Sequence, residues 1–199
     1  PSNEMGNPSA DTPTCAALTS HRRFASASRI ALPRGGLYSL MQDGPRCSCG
    51  ASGCFEALAS GTALQARAAT AAQDGSSPFL AAAARDGGVA ARHVFDGARA
   101  GADRCRHLLA EEARYLGQGM TSAIHMFSPG LVIVGGGLSN GFDLLSDGIH
   151  KVIREDAMPP FRNVPVVRAG LGDDSGLWGA ASMVLQPEDG WRNSGPPSS

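Results

Sequence analysis

SPGLVIVGGGLSNG, residues 128 to 141, sets four apolar and mostly β-branched residues directly before three glycines. LVIV, at 131 to 134, fits a strand buried on both faces. Gly135, Gly136 and Gly137 follow at once as a tight turn that opens a helix. Upstream, Leu109, Ala113, Leu116, Met120, Ile124 and Phe127 recur at intervals of three and four from about Ala102. They draw one buried stripe on a long helix that Ser128 and Pro129 stop. Downstream, Phe142, Leu145, Ile149 and Val152 keep helical spacing, and VPVV at 164 to 167 supplies a second short strand. The order helix, strand, glycine turn, helix, strand predicts an α/β layer architecture. GLGDDSGLWGAASMVL, residues 170 to 185, predicts a closing helix whose Gly176, Gly179, Ala180 and Ala181 admit a close neighbour.

Glycines after a strand let backbone N–H groups approach a phosphate, and a helix N-terminus favours negative charge. By pattern alone that reading stands level with a strand-to-helix turn that holds no ligand. The Walker pattern G-x-x-x-x-G-K-[ST] is absent, and the turn reads G-x-G-x-x-N where the dinucleotide fingerprint needs G-x-G-x-x-G. ARDGGVAAR, at 84 to 92, follows an alanine-rich helical stretch and reads as a loop.

The surrounding chain sets broader bounds. Its 199 residues, 42% apolar, suit one domain with a sizeable core. A net charge of -1, with both signs mixed along the chain, leaves no electrostatic footprint for nucleic acid or an anionic membrane. No apolar run approaches the roughly 20 residues of a membrane span. HRRFASASRIALP, at 21 to 33, has a superficial twin-arginine look, but Arg29 interrupts an apolar run already too short for an export signal. The expected compartment is therefore the cytoplasm, where clustered cysteines are more often metal or redox groups than structural disulfides.

RCSCGASGCFE, residues 46 to 56, holds three of the chain's five cysteines. Cys47, Cys49 and Cys54 form C-x-C-x4-C with Gly50 and Gly53 between them, and wrapping thiolates round one ion needs the positive φ that glycine supplies. Zinc takes four tetrahedral ligands in a structural site, so three cysteines are one short. The plainer readings are small cysteines in a buried turn, or two of them paired as a disulfide. Cys15 and Cys105 have no local partners and read as ordinary residues.

DGPRCSCGASGCFEALASG, residues 43 to 61, resembles the zinc-loop signature C-x-C-G-x-x-G-C-x-E of the ROK family of sugar kinases and sugar-responsive transcriptional repressors. SPGLVIVGGG likewise resembles the segment that family sets against a nucleotide. In the family a Glu-x-Gly-His element ends ten residues before the first cysteine, and its histidine is the fourth zinc ligand. Here Arg34-Gly35-Gly36-Leu37 keeps only the glycine, and the nearest upstream histidine is His21. The departure implies a three-thiolate site completed by water, or an empty and oxidisable loop. Glu56 stands where the family places a carboxylate on sugar hydroxyls, and a carboxylate accepts from two neighbouring hydroxyls. Its other reading is an exposed glutamate favoured at a helix start by the macrodipole.

The resemblance implies an α/β chain that forms part of the C-terminal lobe of an actin-like ATPase (ribonuclease H-like) fold. It divides the sequence into an irregular segment at 1 to 42, a ROK-like lobe at 43 to 186 and a tail at 187 to 199. The D-x-G-x-T loop and the Asn-Asp pair of the family's other lobe find no match, so no catalytic residue is assigned. So abrupt an onset near Asp43 is expected of a chain truncated, rearranged or read in a wrong frame. The implied activity is ATP-dependent phosphorylation of glucose or an N-acetylhexosamine, with ATP and Mg²⁺ as cofactors and this chain inactive alone. Glu56 would orient the sugar, Gly135, Gly136 and Gly137 would face the nucleotide, and Cys47, Cys49 and Cys54 would hold a structural zinc. The alternatives are the sugar-binding lobe of a repressor, whose helix-turn-helix would lie outside this sequence, and a degenerate fragment without function. Family members often form dimers or tetramers, so a homo-oligomer is expected too, with no interface legible.

Overall fold

The computed structural model describes residues 38–170. The predicted closing helix and the tail at 187 to 199 lie outside the described residues. Six α-helices and two short strands run in the order α1 (Phe55–Leu58), α2 (Gly61–Gln73), α3 (Pro78–Arg85), α4 (Ala91–Arg99), α5 (Asp103–Phe127), β1 (Val132–Val134), α6 (Phe142–Asp156) and β2 (Val166–Arg168).

Short side chains start the first long helices. Ser60 accepts from the backbone N–H of Ala63 at 3.1 Å to cap α2, and Ser77 does the same for Leu80 at 3.3 Å, with Pro78 in the first turn of α3. The predicted long helix is present as α5, with Leu109, Ala113, Leu116, Met120 and Ile124 buried along its stripe. Phe127 ends the stripe 41% exposed. Ser128 then stops the helix in the left-handed region, φ 47°, with its N–H still bonded to Ile124 O at 2.8 Å. The Asp-Gly-Gly of residues 86 to 88 is a loop between α3 and α4, as its composition predicts.

The core sits between α5 and its neighbours. Leu64 and Ala68 of α2, Leu80 of α3, Val94 and Phe95 of α4, and Leu145, Ile149 and Ile153 of α6 close on Leu108, Leu109 and Ile124. Each fully buried leucine or isoleucine there contributes about 1.5–3 kcal/mol of transfer free energy. Gly117 lets α6 come close, since a Cβ there would lie 2.6 Å from Cβ of Val152. One charged pair lies inside: Glu112, fully buried on α5, takes a charge-assisted hydrogen bond from Arg67 of α2, which also donates to Leu58 O at 2.8 Å.

Strands β1 and β2 pair in parallel, Val132 opposite Val166 and Val134 opposite Arg168, with α6 as the crossover that parallel pairing requires. Among the described residues this is the whole sheet. Burial on both faces, expected for LVIV, is not what forms: Ile133 is 61% exposed while Val132 and Val134 are half-buried. Among the described residues, α6 packs against β2. No helix among the described residues is long and apolar enough to cross a membrane.

Candidate functional site

The cysteine loop is built by backbone bonds before any sulfur is involved. Cys47 N donates to Ala51 O at 2.8 Å and Gly50 N to Cys47 O at 3.0 Å, which closes the tip, while Ser39 bridges antiparallel to Cys54 and Arg46 to Ser52. Leu40 N and Gly53 N then donate at 2.8 Å, to Gly53 O and Pro45 O respectively, tying the incoming strand to the loop's exit. Gly53 is required: its φ is +66°, and a Cβ would stand 1.6 Å from the carbonyl oxygen of Met41.

This path brings the three predicted thiols together. Their Sγ atoms all lie within 4.8 Å of one another, and Cys49 Sγ is 3.5 Å from Cys54 Sγ. A tetrahedral ion with Zn–S bonds of about 2.3 Å sets its sulfurs roughly 3.8 Å apart, so the trio fits three corners. No fourth His, Cys, Asp or Glu joins them among the described residues. A hydrogen bond from the Cys49 backbone holds the Cys47 thiol down at about 7, and the side-chain hydrogen bond with Cys49 raises Cys54 to about 11. Cys49 is exposed and Cys54 buried. Cys105, read as an ordinary residue, is a buried thiol of the α5 core.

Cys54 caps α1, and its neighbours fix the helix. Phe55 stacks on Tyr38 with ring centroids 5.6 Å apart, and its edge rests on Gly119 of α5, where a Cβ would fall 2.2 Å from the ring. Tyr38 donates its hydroxyl to Gly119 O, and burial raises its pKa to about 12. Glu56 is half-buried one residue further on, and its Oε2 has no hydrogen-bond partner although water is shut out from that atom. An orphan carboxylate oxygen is an acceptor waiting for a donor.

The glycine turn forms a second locus. Gly136 has φ 78° and ψ -173°, a combination open to glycine alone, and residues 137 to 141 wind a short 3-10 turn into α6. Gly135 and Gly137 differ from it. A Cβ on Gly137 would meet nothing within 4 Å, and one on Gly135 would make only ordinary contact with Ala169 at 3.7 Å. Neither is demanded by packing among the described residues. The turn faces α4 across an open cleft of about 460 Å³ lined by Ala90, Arg92, Asp96, Arg99, Gly137 and Asn140, among others. Phe95 pins the two walls, since a Cβ on Gly141 would lie 2.2 Å from its ring, and Arg99 holds Asp143 at 3.1 and 3.2 Å.

Gly137 thus opens on a cleft, while Glu56 is not among the residues lining it. Arg92, Asp96 and Arg99 were missed from sequence; their signal was a polar face at helical spacing opposite Val94, Phe95 and Ala98.

Helices against a parallel pair, crossed by α6 and interrupted by a glycine turn, define the partial C-terminal lobe of an actin-like ATPase fold. The comparisons agree. The model of the ROK family matches residues 27–187, and the chain belongs to the ROK family. It is 34% identical to a glucokinase of Thermotoga maritima over 72% of this chain and 46% of the relative. It is 28% identical to the DNA-binding transcriptional dual regulator NagC of Escherichia coli over 71% of this chain and 34% of that protein. Among solved structures, a ROK family glucokinase from Streptomyces griseus, in complex with glucose and AMPPNP, superposes with a TM-score of 0.64 at 33% identity. That match covers 74% of this chain and 49% of that one. The chain spans about half the length of the glucokinases it matches.

Proposed function

We propose that this chain is the C-terminal lobe of an ATP-dependent sugar kinase acting on glucose or an N-acetylhexosamine. The observation that carries the kinase reading is the cleft at Gly137. It has a size suited to a small ligand, and one wall is a glycine that no contact among the described residues requires. Gly137 lines that cleft, and the turn of Gly135, Gly136 and Gly137 would face a nucleotide bound in it, with MgATP as donor and the glucose- and AMPPNP-bound relative as support. Glu56 is the proposed sugar contact, its unpartnered Oε2 accepting from a hydroxyl. Cys47, Cys49 and Cys54 would hold zinc as a structural pin beneath α1, with water at the fourth corner. Phosphoryl transfer needs a base and a metal-bridged phosphate held in line, and the 199 residues carry no match to the motifs that supply them. The chain alone is therefore expected to bind more than it catalyses. Such a kinase works in the cytoplasm, and self-association as a homo-oligomer is proposed with it.

Titration calorimetry with AMPPNP tests the nucleotide site. Wild-type chain is expected to bind and Gly137→Val to lose at least tenfold in affinity. Absence of binding in a folded wild-type chain overturns the kinase reading. The similarity to NagC supports a second reading, a sugar-sensing lobe without chemistry. A gel shift on the complete gene product, with and without sugar, separates the two.

A further inference from the structure

We infer that Cys49 and Cys54 form a thiol–disulfide site, in which oxidation closes an intrachain bridge and removes two of the three sulfurs available to a metal. The inference rests on the loop's geometry and is independent of the sugar and nucleotide sites proposed above. Three observations converge. The sulfurs of Cys49 and Cys54 already stand 3.5 Å apart, so a bond of about 2.0 Å needs only a small inward movement. Their exposures divide the work: Cys49 lies exposed at the loop's tip, within reach of a small oxidant, and Cys54 waits buried behind it. Finally, three thiols gather with no fourth protein ligand among the described residues, so those residues alone supply three of the four corners a metal would need.

The chemistry balances with a peroxide as oxidant. The Cys49 sulfur attacks one peroxide oxygen, the O–O bond breaks, and the thiol proton leaves with the departing hydroxide as water, giving a sulfenic acid. The Cys54 sulfur then attacks the Cys49 sulfur. The S–S bond forms, the S–O bond breaks, and the sulfenic hydroxyl leaves with the Cys54 proton as a second water. In sum, two thiols are oxidised by two electrons and one peroxide is reduced to two waters. Cys47 is left as a free thiol, and its backbone bonds to Ala51 and Gly50 do not depend on the bridge.

The test uses the full chain, stripped with a chelator and treated with a slight excess of hydrogen peroxide. Free thiols are counted in denaturant, and proteolytic peptides are mapped without reduction. The expected result is a loss of two of the five thiols, with a peptide linked through Cys49 and Cys54 that dithiothreitol releases. Cys47→Ser is expected to form the same link, and Cys49→Ser to form none. A wild-type loop that keeps all three thiols, a link through Cys47, or a link between two chains overturns the inference. Because wild-type chain alone decides this, a variant that fails to fold does not blunt the test. Zinc added before the peroxide is expected to slow thiol loss at least tenfold; an unchanged rate overturns the competition between metal and bridge.

Discussion

Gly119 shows how a single missing methyl group positions a site. The Phe55 ring occupies the space a side chain would take, and that contact seats α1, with Glu56 in it, on α5. Gly119→Ala gains about 1 kcal/mol of helix propensity but must displace the ring. Overpacking of this kind costs about 1–3 kcal/mol, so the net expected change in urea unfolding is a loss, together with altered near-UV signals from Phe55 and Tyr38. Nothing local in the sequence announces this contact, because a glycine inside a helix looks the same whether it meets solvent or a ring from far upstream. The cysteines, by contrast, were legible: their spacing and glycines alone foretold that the thiols meet.

Glu112 is a second residue that sequence could not place, since periodicity puts it beside the apolar stripe without saying that Arg67 will meet it there. Burial lifts its carboxyl to about 7 despite the opposing charge of Arg67. The folded chain therefore binds this proton more tightly than the unfolded one. The stabilisation is complete below the ordinary value of 4.5 and is lost as pH rises to about 7. At one pKa unit per 1.36 kcal/mol the span is up to about 3 kcal/mol. Urea midpoints measured across that window are expected to fall with rising pH in wild type and to flatten in Glu112→Gln.

Among the elements, the glycine turn separates structural from ligand-directed glycines. Gly136→Ala forces a side chain into a glycine-only conformation and is expected to destabilise by about 1–3 kcal/mol. Gly137→Val adds atoms to open space, so its melting temperature is expected to stay near wild type while AMPPNP affinity falls. Equal losses of stability in both variants would contradict the assignment. The two helices flanking the turn were legible because the stripes of α5 and α6 are long and regular. Strand β1 was legible as a strand but not in its surroundings: β-branched runs report backbone preference, whereas the exposure of Ile133 depends on what lies against the sheet. The cleft was not legible at all, because its far wall is α4, whose alanine-rich neighbourhood gives no hint of the partner across the gap.

For the whole molecule, fold class and family were both readable from two motifs in order, while the chemistry proposed above was not, since a phosphoryl transfer needs a base and a phosphate clamp that neither motif supplies. The 199-residue chain is expected to show little glucose-dependent ADP release in a coupled assay, and adding ATP and Mg²⁺ in excess is not expected to restore it. Robust turnover would mean that the chain holds a base and a phosphate clamp outside the two motifs.

The cysteine loop takes its shape from Gly53, the Met41 carbonyl and a net of backbone hydrogen bonds, none of which involves sulfur. Replacing the exposed Cys49 by serine is therefore expected to leave the loop's backbone in place, whereas replacing Gly53 is expected to disrupt it. Architecture and chemistry in this segment are separable: the backbone keeps the loop's shape, and the thiols decide what the loop can bind.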